Sequence, residues 1–480
     1  MRAFVACLAF AVADPAAAIE SAHAADSELL VRDVRLIDGR GGPVEERVSI
    51  LVRDGRIAAI GADLEAAPSA RVIDGKGQTA LPGLVDSHVH FVYASGSGYR
   101  NDSDATIREL NHQHLRAYLA CGVTTVLDAG AFVETVRDIQ GWLAAGHPGP
   151  RYLTLGPFPR PPGGYGHERF GDESTPVEVE AKLDLIQSLG AAGVKLAIEH
   201  GFGADGGAPA QFTPELLQVL VQGAKQRGLP LYVHAMNEAA QEEALALGAH
   251  ALMHTAIDVL SPTPLSDAFV ARLEASGAYQ ATTLSLFATF PSMFDRARLQ
   301  DPLTQLVVPR AELETAAAPD VEDRFAIRIF GYTAPWTFEF MRPWLASFFL
   351  SKSRLGAAIA MAQQNLLTLH RAGVPIVVGT DAPAPWPEAI YHFHGVQTLE
   401  EVLLLGAAGL TPLEAIAAAT SGPARMLGRG DEIGTLAPGM RAEILLVEGA
   451  PDRDLRDLRR VRYTVQGDVA RTPAEWMAAP

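Results

Sequence analysis

The stretch Thr79-Ala-Leu-Pro-Gly-Leu-Val-Asp-Ser-His-Val-His90 ends an apolar run with two histidines one residue apart. In an extended strand, residues i and i+2 point to the same face, so His88 and His90 converge on one point. Two imidazoles placed in this way can bind one metal ion. A lone His-x-His pair is more often a pair of surface or core histidines, so the metal-site interpretation depends on the rest of the chain.

Four further polar residues follow in order, each within or at the end of a short apolar run. They are found in Ala192-Gly-Val-Lys195-Leu, Leu229-Pro-Leu-Tyr-Val-His234, Ala251-Leu-Met-His254 and Val374-Pro-Ile-Val-Val-Gly-Thr-Asp381. Imidazole nitrogens and carboxylate oxygens are common metal ligands in proteins. Together with the first two histidines, this ordered set predicts a metal centre, although no member does so alone.

Composition limits the class of protein. The chain has 480 residues, 48% hydrophobic and 20% charged, which is enough for a large globular core and a smaller second domain. The formal net charge of −17 argues against a nucleic-acid partner and leaves a small-molecule substrate as the expected one. No run of about 18 apolar residues follows the N-terminal segment, so no membrane span is predicted. A homo-oligomer is compatible with the sequence.

Residues 1–25 have the pattern of an export signal. Arg2 provides a positive start, residues 3–12 are apolar, and Ala22-His-Ala24 is an A-x-A cleavage site. This pattern predicts a protein of the bacterial periplasm or a secreted protein. The alternative is a disordered Ala-rich start on a cytosolic enzyme.

Both ends of the remaining chain have β-strand patterns. Residues 26–82 contain alternating apolar runs on either side of Asp54-Gly55, a pair typical of a tight hairpin. Residues 428–480 return to this character after a helical pattern. We therefore expect the two ends to combine in one small β-sandwich domain.

Residues 83–427 alternate short apolar runs with helical patterns, which indicates an α/β fold with a parallel sheet. Eight such strands between Leu84 and Asp381 predict a (β/α)8 TIM barrel. In that fold, the C-terminal ends of the strands meet at one mouth, where the chemistry takes place. The six candidate ligands would therefore lie together.

The interval from Leu284 to Gly373 is about 90 residues, longer than the usual connection between strands of such a barrel. It is rich in aromatic residues: Phe287, Phe290, Phe294, Trp336, Phe338, Phe340, Trp344, Phe348 and Phe349. One interpretation is an extended helical hairpin that packs its aromatic side chains on the barrel. The other is a lid that lines an apolar substrate pocket.

Lys195 determines which chemistry the set predicts. An ammonium group is a costly neighbour for a metal cation, but addition of CO2 to the amine gives a carbamate that can bridge two metals. Two divalent ions about 3.5–4 Å apart can share a hydroxide, a nucleophile at neutral pH. Asp381 would bind one metal and act catalytically, taking the proton of the hydroxide and passing it to the leaving group. Imidazoles favour zinc, and manganese or cobalt also suits the set.

The chain resembles the amidohydrolase superfamily, and within it the imidazolonepropionase-like and prolidase-like branch, over nearly all of its mature length. The matching motifs are Leu81 to His90, Gly122-Val-Thr-Thr-Val, Gly193-Val-Lys-Leu, Gly379-Thr-Asp-Ala, Ala419-Thr-Ser-Gly-Pro-Ala-Arg-Met-Leu-Gly and Gly434-Thr-Leu-Ala-Pro-Gly-Met-Arg-Ala-Glu. The resemblance implies an α metal held by His88, His90 and Asp381, a β metal held by His234 and His254, and a bridging carboxylated Lys195.

Two positions depart from the family pattern. Met253 stands where relatives often have Glu, and Glu443 stands where Asp is usual. Neither is a predicted metal ligand. The pair His112 and His114 is most simply interpreted as solvated residues of a helix or turn.

Substrate contacts are predicted at two loops. Pro162-Gly-Gly-Tyr-Gly-His167 follows the third strand of the expected barrel, where relatives carry a Gly-Gly-His loop, so Tyr165 and His167 are candidates. Tyr391-His-Phe-His394 follows the eighth strand and makes His394 a third candidate. A purely structural glycine turn and structural packing are the alternatives at these two places.

In the family, a lysine on the fourth strand accompanies two-metal sites and hydrolysis of amides, peptides or esters. Deaminase members keep one metal and place a Glu near the histidine of the fifth strand, whereas Glu238 lies four residues after His234, too far for that spacing. The sequence therefore predicts a metal-dependent hydrolase of C–N bonds in a small amide, dipeptide or N-acyl amino acid. A lactonase or other ester hydrolase is the first alternative, and a non-catalytic metal-binding barrel is the second.

Overall fold

The computed structural model describes residues 28–91, 104–166, 170–201, 209–334, 336–383 and 390–480. The predicted signal segment therefore lies outside the described residues. The strands are β1 Glu28–Leu36, β2 Glu45–Arg53, β3 Arg56–Gly61, β4 Arg71–Asp74, β5 Gln78–Pro82, β6 Leu84–Val89, β7 Val123–Asp128, β8 Arg151–Thr154, β9 Val194–Ala197, β10 Leu231–His234, β11 Ala251–Leu252, β12 Tyr279–Ala281, β13 Ile376–Val377, β14 Glu443–Glu448, β15 Val461–Gln466 and β16 Val469–Arg471.

The α-helices alternate with the central strands and fill the long interval before β13. They are α1 Asp104–Ala120, α2 Val133–Ala144, α3 Pro176–Ser188, α4 Pro214–Gln226, α5 Glu238–Ala246, α6 Asp267–Ser276, α7 Leu284–Ala288, α8 Pro302–Val307, α9 Arg310–Ala317, α10 Val321–Thr333, α11 Arg342–Phe349, α12 Lys352–Arg371, α13 Val396–Ala408, α14 Pro412–Ala418, α15 Ser421–Met426 and α16 Pro473–Met477. Short 3-10 helices cover Arg296–Gln300, Glu339–Met341 and Leu455–Arg459. Among the residues described, no helix is both long and apolar enough to cross a membrane.

Strands from both ends of the chain form one eight-stranded sheet in the order β16-β15-β14-β5-β1-β2-β3, with β4 paired to β1. The two ends meet where β14 pairs antiparallel with β5, with Leu445 opposite Leu81. At the predicted hairpin, Asp54 and Gly55 have φ angles of 50° and 69°. Positive φ at both central residues is what a type I′ turn requires. This two-residue turn connects the antiparallel strands β2 and β3. The division of the chain into domains stays a prediction.

The predicted strand–helix alternation is confirmed, and all of the central strands pair in parallel. They form a three-stranded sheet, β6-β7-β8, and a five-stranded sheet, β9 to β13 in consecutive order. Backbone hydrogen bonds connect the two sheets on both sides. The Ala192 nitrogen donates to the Thr154 oxygen at 2.8 Å, and the Asp381 nitrogen donates to the His88 oxygen at 2.7 Å. The ends of β6 and of the segment after β13 are therefore held side by side.

Glu443, one of the two residues that depart from the family pattern, joins the eight-stranded sheet to the parallel strands. Its carboxylate accepts hydrogen bonds from the hydroxyls of Thr124 and Thr125, at 3.0 and 3.2 Å. Its other oxygen lies 3.2 Å from a guanidinium nitrogen of Arg151. Because Glu443 is buried, these contacts replace the hydrogen bonds to water that its carboxylate has lost.

The interval from Leu284 to Gly373 is not a single helical hairpin; it contains the six helices α7 to α12. Its first aromatic residues pack as expected, since Phe287 and Phe290 are buried. Phe294 stacks on Tyr391, with the ring centroids 4.1 Å apart. Later in the interval, the aromatic side chains of residues 336–348 are exposed to solvent instead.

The expectation of a solvated His114 is wrong. Its side chain is 1% exposed, and its Nε2 atom lies 2.7 Å from Oε1 of the equally buried Glu312. This pair connects α1 to α9, and its two residues are 198 positions apart in the chain. His112 is only partly buried, with Nε2 2.9 Å from Asp138 Oδ2.

Candidate metal centre

The structure brings all six predicted metal ligands together at the C-terminal ends of the parallel strands. Their positions are His88 in β6, His90 just after it, Lys195 in β9, His234 at the end of β10, His254 two residues after β11 and Asp381 four residues after β13. Side chains from strands far apart in sequence converge because parallel strands end at the same edge of a sheet. The site therefore depends on the order of the strands.

His88, His90 and Asp381 form the first group of ligands. Oδ1 of Asp381 lies 3.3 Å from Nε2 of His88 and 3.1 Å from Nε2 of His90. One ligand atom from each of the three lies within 4.8 Å of the other two, close enough to hold one metal ion. This group is the predicted α site.

His234, His254 and Lys195 lie directly beside the first group. Nδ1 of His234 is 2.8 Å from Nε2 of His254. The ring of His254 is 4.8 Å from that of His88, and Lys195 Nζ is 3.3 Å from His88 Nε2. The histidines of the predicted β site thus adjoin the α group, and Lys195 contacts a ligand of the α group.

Each of the four histidines uses its remaining ring nitrogen for a hydrogen bond directed outward. The bonds are His88 Nδ1 to Met253 O at 2.8 Å, His90 Nδ1 to Gly130 O at 3.0 Å, His254 Nδ1 to Thr283 Oγ1 at 3.1 Å and His234 Nε2 to Glu199 Oε2 at 3.0 Å. A carbonyl oxygen can only accept, so Nδ1 of His88 and of His90 carries the proton. In the neutral form of each ring, the Nε2 lone pair then faces the site, as metal binding requires.

Glu199 is a residue that the sequence analysis missed. It is 4% exposed, its Oε2 contacts His234, and its Oε1 accepts a 2.7 Å hydrogen bond from the Gly201 nitrogen. The sequence contains a signal for it, since Glu199 follows Lys195 by four residues and alternate residues of an extended chain share a face. Its carboxylate orients a ligand histidine.

Burial sets the charge of the innermost ligands. Lys195 is 3% exposed, and this burial lowers the pKa of its amine to about 7. Burial, followed by the charge of Lys195, holds the pKa of His88 well below its ordinary value. Burial, followed by His234, does the same for the pKa of His254. Neutral imidazoles and a neutral amine are the forms that can bind a metal or add CO2.

Asp381 is held in an uncommon backbone conformation. Its φ of 64° lies in the left-handed region, which few residues other than Gly adopt, although Asp tolerates it better than most. Burial alone would raise the pKa of its carboxyl, but His88 and His90 outweigh that effect and hold the pKa well below its usual range. The side chain is 13% exposed, so this carboxylate remains reachable from solvent.

Asp86, buried beneath the first group, links β6 to the segment after β13. Its Oδ2 accepts hydrogen bonds from the hydroxyls of Thr380 and Thr398 at 2.9 and 2.7 Å, and its Oδ1 accepts from the Thr380 nitrogen at 3.1 Å. Burial raises the pKa of this carboxyl to about 7. Because Thr380 precedes Asp381, this clamp positions a ligand through the backbone.

The predicted substrate contacts have different outcomes. The Tyr165 ring lies 4.4 Å from that of His234, so Tyr165 borders the site. His167 lies outside the described residues. His394 is buried in a neighbouring cluster, where its Nδ1 is 2.9 Å from the Tyr118 hydroxyl.

Glu238 is not positioned beside His234. Its carboxylate accepts hydrogen bonds from the hydroxyl and the backbone nitrogen of Ser266, at 2.5 and 3.0 Å. It therefore stabilises the start of α6 and does not take the place of the deaminase glutamate.

Comparison with known proteins identifies the class. The profile of the amidohydrolase family matches residues 79–470, and the chain belongs to this family. It is 26% identical to an imidazolonepropionase of Ralstonia nicotianae, over 83% of this chain and 85% of that protein. An allantoinase of Bacillus licheniformis is 39% identical, but over only 18% of this chain and 17% of its own length.

A solved structure described as a Xaa-Pro dipeptidase with bound methionine has the same fold. It superimposes with a TM-score of 0.68 over 93% of this chain and all of that one, at 21% identity. The relatives are hydrolases of C–N bonds, and the protein is an enzyme of this hydrolase family. The first curated relative matches over less than a fifth of its length, so particular substrates belong to the proposal that follows.

Proposed function

We propose that the protein is a binuclear metal-dependent hydrolase that cleaves the C–N bond of a small amide, dipeptide or N-acyl amino acid. The observation that carries the proposal is the orientation of the four histidines. Each has one nitrogen held by an outward hydrogen bond, and the other nitrogen points to Asp381, to Lys195 or to a second histidine. Burying polar nitrogens that face one another is unfavourable in a protein core without a bound ion. The same arrangement is typical of a metal site.

The residues present fit two divalent ions. Three ligand atoms of His88, His90 and Asp381 lie close together, and His234 and His254 offer a second pair of nitrogens beside them. Carboxylation of Lys195 would add a negative bridging group between the two sets. When bound, the metal ions would supply Lewis-acid activation of a water molecule and of the substrate carbonyl. The imidazoles favour zinc, with manganese or cobalt as alternatives.

Asp381 is the proposed catalytic residue. Its Oδ1 is anchored between His88 and His90, while part of its side chain is open to solvent. A carboxylate in this position can accept the proton of the attacking water and deliver it to the leaving nitrogen. Tyr165, beside His234, is placed to contact the substrate. His167 and His394 remain predicted substrate contacts.

We also propose that the two parallel sheets are the two arcs of one (β/α)8 barrel over residues 83–427. The hydrogen bonds that connect β8 to the segment before β9, and β6 to the segment after β13, support this closure. The terminal strands of residues 26–82 and 428–480 would form the β-sandwich, and residues 1–25 would direct export to the periplasm or beyond. Purification of the mature protein and sequencing of its first residues tests that last point.

Purified protein loaded with zinc or manganese should be assayed against dipeptides, N-acyl amino acids and lactones. We expect hydrolysis of at least one C–N class, abolished by a chelator and restored by the metal. Hydrolysis of lactones alone would replace the proposal with an ester hydrolase. Stoichiometric metal with no turnover of any class would leave a non-catalytic metal-binding protein.

A further inference from the structure

Five large aromatic side chains form an exposed surface between α10 and the start of α12. Trp336, Phe338, Phe340, Trp344 and Phe348 are 53–80% exposed, and we call them the aromatic surface. None of the residues of α11 is buried, in contrast to seven buried residues of α12. Single exposed apolar residues are ordinary, but five aromatic residues in thirteen positions are not.

The aromatic surface is built on a fixed turn. The Arg342 guanidinium donates to the Ile327 oxygen at 3.1 Å and to the Thr337 oxygen at 3.3 Å. The Thr337 hydroxyl donates to the Ala334 oxygen at 2.6 Å. One cation and one hydroxyl thus hold the turn against α10, and the aromatic side chains beside them are presented in an ordered arrangement.

The size of the aromatic surface exceeds that of an ordinary solvent-exposed apolar patch. Five aromatic side chains exposed by about two thirds present on the order of 650 Å². That exceeds the largest apolar patch of many monomers, which is about 300–600 Å². The patch is thus large enough to need a cover, and the charged side chains beside it indicate which kind of cover it suits.

The charges around the aromatic surface differ from those of the whole chain. Residues 336–354 contain three cationic residues, Arg342, Lys352 and Arg354, and one acidic residue, Glu339, a net charge of +2 in a chain of −17. The Arg354 guanidinium lies over the Phe348 ring, 4.8 Å from its centroid. Tryptophan and phenylalanine beside arginine and lysine are typical of segments that lie in the interface of an anionic membrane.

We propose that the aromatic surface binds the surface of a lipid bilayer and anchors the enzyme peripherally. The aromatic side chains would enter the boundary between headgroups and acyl chains, while Lys352 and Arg354 contact anionic headgroups. This binding does not use the metal centre and requires no membrane-spanning helix. It is independent of the hydrolase function, so either proposal can fail without the other.

The test is sedimentation of the full chain with vesicles of phosphatidylcholine and phosphatidylglycerol, in a roughly 3:1 mixture that supplies negative charge. We expect the wild-type chain to sediment with these vesicles and to show a blue shift of tryptophan fluorescence. The triple variant Trp336→Ser, Phe340→Ser, Trp344→Ser should bind these vesicles with an affinity at least about tenfold lower. The replaced side chains are exposed, so we expect its melting temperature to be unchanged.

A matched control removes exposed apolar side chains elsewhere. Val177 and Leu260 are 78% and 50% exposed, and the double variant Val177→Ser, Leu260→Ser should bind vesicles like the wild type. Failure of the wild type to bind, or equal binding by the triple variant, would overturn the proposal. An oligomer that dissociates in the triple variant, without any vesicle binding, would identify a second copy as the occupant and would overturn it too.

Discussion

His234 and His254 face each other through different ring atoms, with Nδ1 of the first 2.8 Å from Nε2 of the second. The two atoms that meet are those left over after the outward hydrogen bonds to Glu199 and Thr283. Alternating use of the two nitrogens lets imidazoles from adjacent strands share one point. The choice of nitrogen is thus set by residues around the site, and those residues can be tested as well as the ligands.

Asp381→Asn should separate metal binding from proton transfer. The amide keeps an oxygen near His88 and His90 but is a far weaker proton acceptor than the carboxylate. Turnover should fall by about 10²–10⁴-fold, the usual contribution of a positioned acid–base group. Metal content should fall only in part, and both are measured on the same preparation. Asp63→Asn, at an exposed position, is the control, and a normal rate in the Asp381→Asn variant would exclude the proposed role.

Lys195→Ala should remove metal and activity together. We expect about two divalent ions per wild-type chain by elemental analysis, because six ligands exceed the four that one zinc ion takes. Loss of the proposed carbamate leaves the ions without their shared ligand. Short-chain carboxylates such as acetate should restore part of both losses. Lys225→Ala, on the surface of α4, should change neither. Full metal and full rate in the Lys195 variant would instead show that the lysine is not a metal ligand.

Glu199→Gln should weaken metal binding through His234. A neutral amide is a weaker hydrogen-bond partner for the imidazole than a carboxylate, and loss of such a partner costs about 10–100-fold in metal affinity. Competition with a chromophoric chelator measures the affinity directly, without reference to turnover. Glu238→Gln is the matched control, since that carboxylate contacts Ser266 instead. Equal affinities in both variants would show that Glu199 does not position the ligand.

Glu443→Ala should destabilise the protein without touching the metal centre. The change leaves the Arg151 guanidinium without its carboxylate in a mostly buried place, at a cost of about 3–5 kcal/mol. Glu448→Ala removes a more exposed pair with Arg460, which contributes about 0–1 kcal/mol. Urea denaturation of both variants measures the two losses in the free energy of unfolding. A similar free energy of unfolding for the Glu443→Ala and Glu448→Ala variants would mean that Glu443 does not stabilise the contact between the eight-stranded sheet and the parallel strands.

The sequence predicted the metal ligands because their positions depend on local patterns. An apolar run followed by a histidine or an aspartate predicts a strand end, and the family motifs fix the order of the strands. The pair of His114 and Glu312 could not be predicted in this way, since its members are 198 residues apart and share no periodic pattern. Such a contact exists only once α1 and α9 have packed.

The long interval before β13 shows a second limit. Its aromatic content predicted buried packing or a lid, and this holds for the buried side chains of Phe287 and Phe290. The same residue types at Trp336 and Phe340 are exposed, because no element of the described chain covers them. Composition identifies which segments are apolar, while the neighbours of a segment decide whether it is buried.

The pairing of β5 with β14 has a consequence for the growing polypeptide. Strand β5 ends at residue 82 and its partner begins at residue 443, more than 350 residues later. At about 5–20 residues per second, ribosomal synthesis leaves that edge without its partner for tens of seconds. An unpaired edge can join the edge of another chain, so the nascent protein is open to edge-to-edge association until the last strands arrive.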